Sequence, residues 1–152
     1  FLRNQARPTR ALPPLHAVPQ LVRARMLGGD FRVLTVTGSG NQGMFLGVPL
    51  LALHQQRGRA MLPAAVVALL TQCWLTHRHR RISDACGLAT KAAPALAAGL
   101  VVADGGGAKE VMAALRRVPA QLDGMRCPGA LPSCGRKARQ ALLAVRRHQR
   151  GQ

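Results

Sequence analysis

The chain has 152 residues, which suffices for one domain with a modest core. Apolar residues make up 48% of it and aromatic residues only 3%, so we expect a core of alanine, leucine and valine in closely packed helices. Twenty-two lysine and arginine residues against five acidic ones give a formal net charge of +17. This charge favours non-specific contact with nucleic acid. The scarcity of aromatic side chains argues against a protein that stacks single-stranded bases.

Hydropathy and cysteine content indicate the compartment. No run reaches the roughly 18 apolar residues that a membrane span requires, and no apolar signal-peptide core follows the basic start of the chain. We therefore expect a cytoplasmic protein with no membrane partner. Four cysteines in such a chain indicate free thiols or metal ligands and not a disulfide framework. The chain begins with phenylalanine, as a fragment of a longer protein would.

Residues 1–20 are rich in arginine and proline, and we expect an irregular lead-in there. Residues 21–150 are predicted to form the folded domain, which opens with a short helix over 21–27. Several β-branched side chains at 31–37 are typical of a strand. Glycines and small polar residues follow at 38–43 and predict a turn.

The rest of the chain shows helical periodicity, with glycine or proline between the segments. The predicted helices cover residues 44–56, 62–77, 83–103, 108–118 and 135–147, with Ser83 as an N-cap and a loop at 124–132. The fold class is thus mainly α. We expect a compact bundle of about five to six helices, with a glycine-rich turn after one short strand-like segment.

The turn at residues 38–43 is the first candidate site. Its G-x-G-x-x-G pattern fits a dinucleotide fingerprint, and its backbone N–H groups can hold an anion at a helix start. Arg57 and Arg59 could then face the 2′-phosphate of NADP, although no acidic residue follows at the ribose-binding spacing and no βαβ alternation is present. A purely structural turn is the other alternative. The six candidate residues are Gly38, Ser39, Gly40, Asn41, Gln42 and Gly43.

Three cysteines form the second candidate site. Cys127 and Cys134 flank a short loop of proline and glycine, and Cys134 begins a helix, where the helix dipole favours the ligating thiolate. Cys86 lies far upstream, near the start of another helix. Three thiolates could hold three irons of a 4Fe-4S cluster and leave the fourth iron open to a substrate. On spacing alone, buried cysteines without a ligand and a zinc site with Cys73, His77 and His79 nearby are the alternatives.

Four motifs occur in a fixed order along the chain. They are Thr-Gly-Ser-Gly-Asn-Gln-Gly-Met at 37–44, Ser-x-x-Cys-Gly at 83–87, a glycine run with Lys-Glu at 105–110, and Gly-Met-x-Cys at 124–127 with Cys134 beyond it. Together they resemble the C-terminal part of the iron–sulfur-dependent L-serine dehydratase alpha-chain family, and in particular its L-cysteine desulfidase-like branch. The resemblance covers about residues 21–148.

The resemblance implies a β-elimination that converts L-serine or L-cysteine to pyruvate and ammonia, with water or sulfide as the eliminated group. It implies that Cys86, Cys127 and Cys134 ligate a 4Fe-4S cluster. Because helix starts bind anions, we expect the turn at 38–43 to bind the carboxylate of the small amino-acid substrate or to line its pocket. The general base is not identified, and a missing N-terminal half, a partner chain or a homodimer is expected to complete a larger catalytic domain. The family usually has Asp-Gly-Ala-Lys where residues 128–131 read Pro-Gly-Ala-Leu, so an incomplete or inactive fragment is the alternative.

Overall fold

The computed structural model describes residues 14–80 and 82–151. Over these residues the chain forms six α-helices, with one 3₁₀ turn and one π turn, which confirms the predicted mainly helical bundle. The helices are α1 (Pro14–Met26), α2 (Gly40–Arg57), α3 (Leu62–Arg78), α4 (Ala93–Ala103), α5 (Ala108–Ala120) and α6 (Cys134–Arg150), with the 3₁₀ turn at Gly58–Met61 and the π turn at Leu88–Ala92.

Helix α4 lies at the centre of the bundle. Residues 91–101 are all buried, and the helix packs against α3, α5 and α6. Its alanine-rich sequence explains this position, because small side chains let neighbouring helix backbones approach closely. At Gly99, a Cβ would lie 2.7 Å from the Ala64 carbonyl oxygen and 2.8 Å from the Ala68 side chain. Helix α3 therefore crosses α4 where neither helix has room for a larger side chain.

Helix α1 closes one side of the bundle against α2 and α6. Val18 and Val22 are fully buried on its inner face, one turn apart as the helical period requires. In the first turn of α6, a Cβ at Gly135 would lie 2.8 Å from the Pro19 carbonyl oxygen. This close approach places the start of α6 beside the middle of α1.

The irregular lead-in predicted for residues 1–20 is wrong over 14–20, because α1 begins at Pro14. Residues 1–13 lie outside the described residues. Proline suits the first helical position, whose N–H has no partner within a helix. Pro19, inside the helix, removes one backbone hydrogen bond, and burial of the two inner valines offsets that loss.

The strand predicted at residues 31–37 does not form. A β-branched composition favours a strand only where a neighbouring strand pairs with it, and the part of the chain that the structure describes contains no other strand. The segment lies instead over the start of α2, where the Leu34 carbonyl oxygen leaves no room for a Cβ at Gly43. Phe31 and Val33 pack partly buried against the core.

The helix predicted at residues 83–103 begins later, at the π turn that precedes α4. Ser83 is not its N-cap, since the Ser83 hydroxyl donates to the Ala85 carbonyl oxygen at 3.1 Å. The backbone of residues 84–86 is extended because it pairs with residues 125–127. Local periodicity cannot predict this pairing between distant segments.

Helices α2 and α3 follow one another with only the 3₁₀ turn between them. The helical stretch Gly40–Arg78 is long and apolar enough to cross a membrane by length and composition, and 28% of its apolar window is buried in the structure. The sequence did not indicate this long stretch, because Arg57, Gly58 and Arg59 interrupt its apolar residues. Much of its exposed apolar surface lies on the outer face of α3.

Candidate functional site

A short antiparallel pairing brings Cys86 and Cys127 together. The Cys86 N–H donates to the Met125 carbonyl oxygen at 2.8 Å, and the Cys127 N–H donates back to the carbonyl of residue 84 at 2.7 Å. Side chains alternate between the two faces of extended backbone, so both cysteines lie on the face opposite to the bridged pair Ala85 and Arg126. The two occupy diagonal positions, which places their Cβ atoms roughly 7 Å apart.

The third cysteine lies at the first residue of α6, beyond the loop that follows Cys127. The Cys134 N–H donates to the Leu131 carbonyl oxygen at 2.8 Å, and its Sγ lies 3.8 Å from the Gly129 carbonyl oxygen. One turn further on, the Lys137 Nζ donates to the Arg126 carbonyl oxygen at 2.7 Å. That bond ties the first turn of α6, which begins with Cys134, to the segment that is paired with Cys86.

The described residues contain no group of three His, Cys, Asp or Glu side chains close enough to hold a single metal ion. The zinc alternative with Cys73, His77 and His79 therefore has no support in the structure. A 4Fe-4S cluster makes a different demand, because each thiolate binds a separate iron and the ligands are spread around a cube. Within the described residues, Cys86, Cys127 and Cys134 do not form such a three-residue group either. Three thiols are also the soft donor set that iron–sulfur clusters take.

Burial raises the pKa of the Cys86 thiol above its usual value of 9.0. The Leu88 backbone hydrogen bond and the Lys137 ammonium oppose the rise, whereas the nearby Cys127 adds to it. Cys86 therefore remains a neutral thiol at neutral pH. A metal that binds this sulfur has to displace the proton, which makes metal affinity increase with pH.

Lys91 is a buried lysine close to Cys127 that the sequence motifs did not indicate. Its side chain is 1% exposed, and its Nζ donates to the Arg80 carbonyl oxygen. Burial lowers the pKa of Lys91, and the charge of Cys127 opposes that shift. Lys91 lies in the π turn Leu88–Ala92, a local geometry that is frequent at functional sites. The available signal was a single lysine inside an alanine-rich run.

The glycine turn forms the N-terminus of α2, with Ser39 as its N-cap. The Ser39 Oγ accepts from the Gln42 N–H at 3.4 Å. From α1, the Arg25 Nη1 donates to the Asn41 Oδ1 at 3.1 Å, and the guanidinium covers Gly40 so closely that a Cβ there would lie 2.9 Å from Nε. A helix N-terminus and a guanidinium both attract anions. Nothing in the sequence indicated Arg25, because the contact depends on the packing of α1 on α2.

Gln42 connects the glycine turn to the cysteine segment. Its side-chain amide lies so close to Gly87 that a Cβ at that position would overlap it, and Gly87 directly follows Cys86. On its other side, the Gln42 Oε1 accepts from the Gln72 Nε2, which also donates to the Thr37 Oγ1 at 3.1 Å. Gln42 of the first predicted site therefore lies beside the residue that follows Cys86 of the second.

Gln72 is fully buried in α3. Its Oε1 has no hydrogen-bond partner within residues 14–80 and 82–151. An unpaired buried acceptor of this kind costs about 1–3 kcal/mol. No sequence signal predicted this buried polar contact.

The family model for the serine dehydratase alpha chain matches residues 16–146. The chain belongs to the serine dehydratase alpha chain family. The matched range contains α2 to α5 entire, most of α1 and α6, and all three candidate ligand cysteines. Membership in the family confirms the resemblance to the serine dehydratase alpha chain that the four sequence motifs indicated.

Several curated relatives carry the name UPF0597 protein. One from Oleidesulfovibrio alaskensis is 35% identical over 124 residues, which is 80% of this chain and 29% of the relative. One from Bacteroides fragilis is 33% identical over 75% of this chain and 27% of its own length, and one from Clostridium botulinum is 27% identical over 82% and 30%. This serine dehydratase alpha-like chain thus spans about 30% of the length of these relatives. No solved structure matches it.

The dinucleotide interpretation of the turn at 38–43 loses its structural context in this family member. A dinucleotide fingerprint works where a strand of a parallel sheet enters the turn. The residues that the structure describes form no β-strand, and the segment that precedes the turn is irregular. The turn therefore has the geometry of a capped helix start and not that of a Rossmann loop.

Proposed function

We propose that this serine dehydratase alpha-like domain belongs to an iron–sulfur lyase. The reaction is β-elimination from L-serine or L-cysteine, which gives pyruvate and ammonia, with water or sulfide as the eliminated group. The observation that carries the proposal is the pairing of residues 84–86 with 125–127, which puts Cys86 and Cys127 on one face. Lys137 ties the α6 turn that begins with Cys134 to the same pair.

Cys86, Cys127 and Cys134 are the proposed ligands of a 4Fe-4S cluster. When bound, the cluster supplies an open iron that acts as a Lewis acid toward the β-substituent of the substrate. The chain's own contribution is to hold three thiolates on a short paired segment and a helix start. Burial of Cys86 and Cys134 also keeps water from these two sulfurs.

The glycine turn is the proposed binding site for the substrate carboxylate. The candidate residues are Gly38, Ser39, Gly40, Asn41, Gln42 and Gly43. The Asn41 amide is engaged by Arg25 and the Gln42 amide by Gln72, so backbone N–H groups near the start of α2 and the Arg25 guanidinium are the groups offered to the carboxylate. Through its contact with Gly87, Gln42 fixes the distance between the turn and the cysteine segment.

The remaining part of the catalytic unit, including the general base, is proposed to lie on polypeptide beyond these 152 residues. The support is that the curated relatives are more than three times as long as the segment they share with this chain. That additional polypeptide, or a second copy in a homodimer, would complete the site. A cytoplasmic location belongs to the same proposal, since reduced thiols persist there.

The proposal is tested by product formation. The chain is loaded with iron and sulfide under anaerobic conditions, both alone and grafted in place of the aligned segment of the O. alaskensis relative, and pyruvate is measured with L-serine and with L-cysteine. Pyruvate should form from at least one substrate in the graft. Cys127→Ser should abolish it, and Cys73→Ser, which changes a cysteine outside the site, should not. A cluster-loaded graft without pyruvate from either substrate would contradict the lyase assignment.

Non-specific binding of double-stranded nucleic acid is a second proposed function, favoured by one surface of α6. Five arginines are exposed along this helix: Arg136, Arg139, Arg146, Arg147 and Arg150. Charges at this density attract phosphates and make the affinity fall steeply with salt. Binding to a short DNA duplex should weaken when Arg139 and Arg146 are changed to Glu and should survive Cys127→Ser. Affinity that does not respond to salt or to the charge reversal would rule this function out.

A further inference from the structure

The outer face of α3 is apolar and exposed along the whole helix. Leu70 is 64% exposed, Val66 52% and Trp74 51%, and their spacing of four residues places them on one face. Leu62 and Leu69 lie on the same side and are also exposed. The opposite side of α3 packs into the core through Ala64, Ala68, Gln72 and Leu75.

This face lacks charge in a strongly basic protein. From Leu62 to His77, α3 contains no Lys, Arg, Asp or Glu, although the whole chain carries a net charge of +17. Scattered single apolar residues are normal on a protein surface, but a continuous apolar patch marks an interaction site. At its C-terminal end, the Arg78 guanidinium lies 5.9 Å from the centre of the Trp74 ring, so the patch ends in a positive charge.

We propose that the exposed face of α3 is the docking surface for the part of the family polypeptide that this chain lacks, whether that part is joined to it or supplied separately. This inference rests on family membership and not on the lyase chemistry. The family match at residues 16–146 includes all of α3. Outside the shared segment, the relatives carry more than twice the length of that segment, and this is the polypeptide that is proposed to cover the face.

The chemistry of the face defines the surface that fits it. The partner surface is a groove of apolar side chains as long as α3, and acidic residues at its rim would meet Arg78 and the other basic residues of the chain. A second copy of the chain fits poorly, because it brings another +17 charge toward the first. Insertion of α3 across a lipid bilayer fits poorly too, since one side of the helix is already buried in the bundle and could not face lipid.

Two residues on this face serve as reporters in the unmodified chain. Cys73 is an exposed thiol on α3, and Trp74 beside it is the only tryptophan of the protein. The rate of maleimide labelling at Cys73, measured by peptide mapping, reports access to the face. The emission maximum of Trp74 reports its removal from water.

The probe is the portion of the O. alaskensis relative outside the aligned 124 residues, purified as a separate polypeptide and added to the full chain. At a probe concentration about ten times the Kd, labelling of Cys73 should slow about tenfold, and Trp74 emission should shift to shorter wavelength. Leu70→Glu should weaken the association at least about tenfold, because it places a carboxylate in the apolar contact. Met112→Glu, at an exposed apolar position on α5, is the matched control and should leave the association unchanged.

A second experiment depends neither on the affinity of the separate probe nor on whether that probe folds by itself. When the chain is grafted in place of the aligned segment of the relative, Cys73 should label at least about tenfold more slowly than in the isolated chain. Labelling of Cys73 in the graft at the isolated-chain rate would overturn the proposal. Protection that rises with the concentration of the chain alone would overturn it in favour of a second copy. Protection by phosphatidylcholine vesicles and not by the relative's polypeptide would overturn it in favour of a lipid surface.

Discussion

Lys91 shows how one residue connects the core to the candidate site. Its side chain is buried between the π turn and the end of α3, and burial lowers its pKa. A buried ammonium with a hydrogen-bond partner adds little net stability, because desolvation offsets the bond. We therefore expect the volume that the Lys91 side chain fills to matter more to the fold than its charge does.

Two substitutions of Lys91 distinguish the effect of its side-chain volume on stability from the effect of its charge. Lys91→Met fills the same space without a buried charge and should keep the free energy of unfolding within about 1 kcal/mol of the native value. Lys91→Ala leaves a cavity and should lower it by about 2–5 kcal/mol. Urea unfolding followed by circular dichroism measures both. Equal losses in the two variants would show that the ammonium itself holds the segment in place.

His148 gives the fold a pH dependence. It is 5% exposed in α6, and burial, followed by the charge of Arg117, lowers its pKa below the usual 6.5. The unfolded chain therefore binds a proton at a higher pH than the folded chain does. Stability from this group is fully present above pH 6.5 and is lost as the pH falls from there toward the lowered folded pKa.

The urea concentration at the midpoint of unfolding should therefore decrease in the native chain when the pH is lowered from 7.5 to 5. This is the direction that proton linkage requires. His148→Gln should remove a part of that fall, because no proton is then taken up at this site on unfolding. His77→Gln, at an exposed position of α3, should keep the native pH dependence. A midpoint that rises on acidification would contradict the assignment.

At the scale of the elements, local sequence signals predicted the helices, whereas the predictions that were wrong depended on contacts between distant segments. Apolar periodicity and the flanking glycines predicted α3 and α6 within a few residues. The strand at 31–37 failed because no partner strand is present among the described residues. The late start of the helix after Ser83 followed from pairing with residues 125–127, which no local window contains.

Two glycines one turn apart in α2 test how the segment before the helix is held. At Gly43, a Cβ would overlap the Leu34 carbonyl oxygen, whereas at Gly47 it meets no atom within 4 Å. Gly43→Ala should therefore lower the free energy of unfolding by about 1–3 kcal/mol. Gly47→Ala should raise it by about 0.5–1 kcal/mol, because alanine has less backbone entropy to lose in a helix. Equal effects at the two positions would show that Leu34 does not lie over α2.

At the scale of the whole molecule, the bundle brings together segments that the sequence separates. Cysteine spacing left buried thiols, zinc and an iron–sulfur cluster open, and only the family resemblance selected the cluster. The structure adds the paired backbone that puts Cys86 and Cys127 on one face. Arg25 and Gln72 could not be predicted, because their roles depend on how α1 and α3 pack against α2.

Cys86, Cys127 and Cys134 are proposed to hold an iron–sulfur cluster, and anaerobic iron and sulfide analysis of the purified chain checks this. We expect a brown protein with about four iron and four sulfide per chain, which loses its colour in air. Serine at any of the three positions should lower the iron content, and Cys73→Ser should not. A colourless chain without sulfide, or iron binding that survives replacement of all three cysteines, would contradict it.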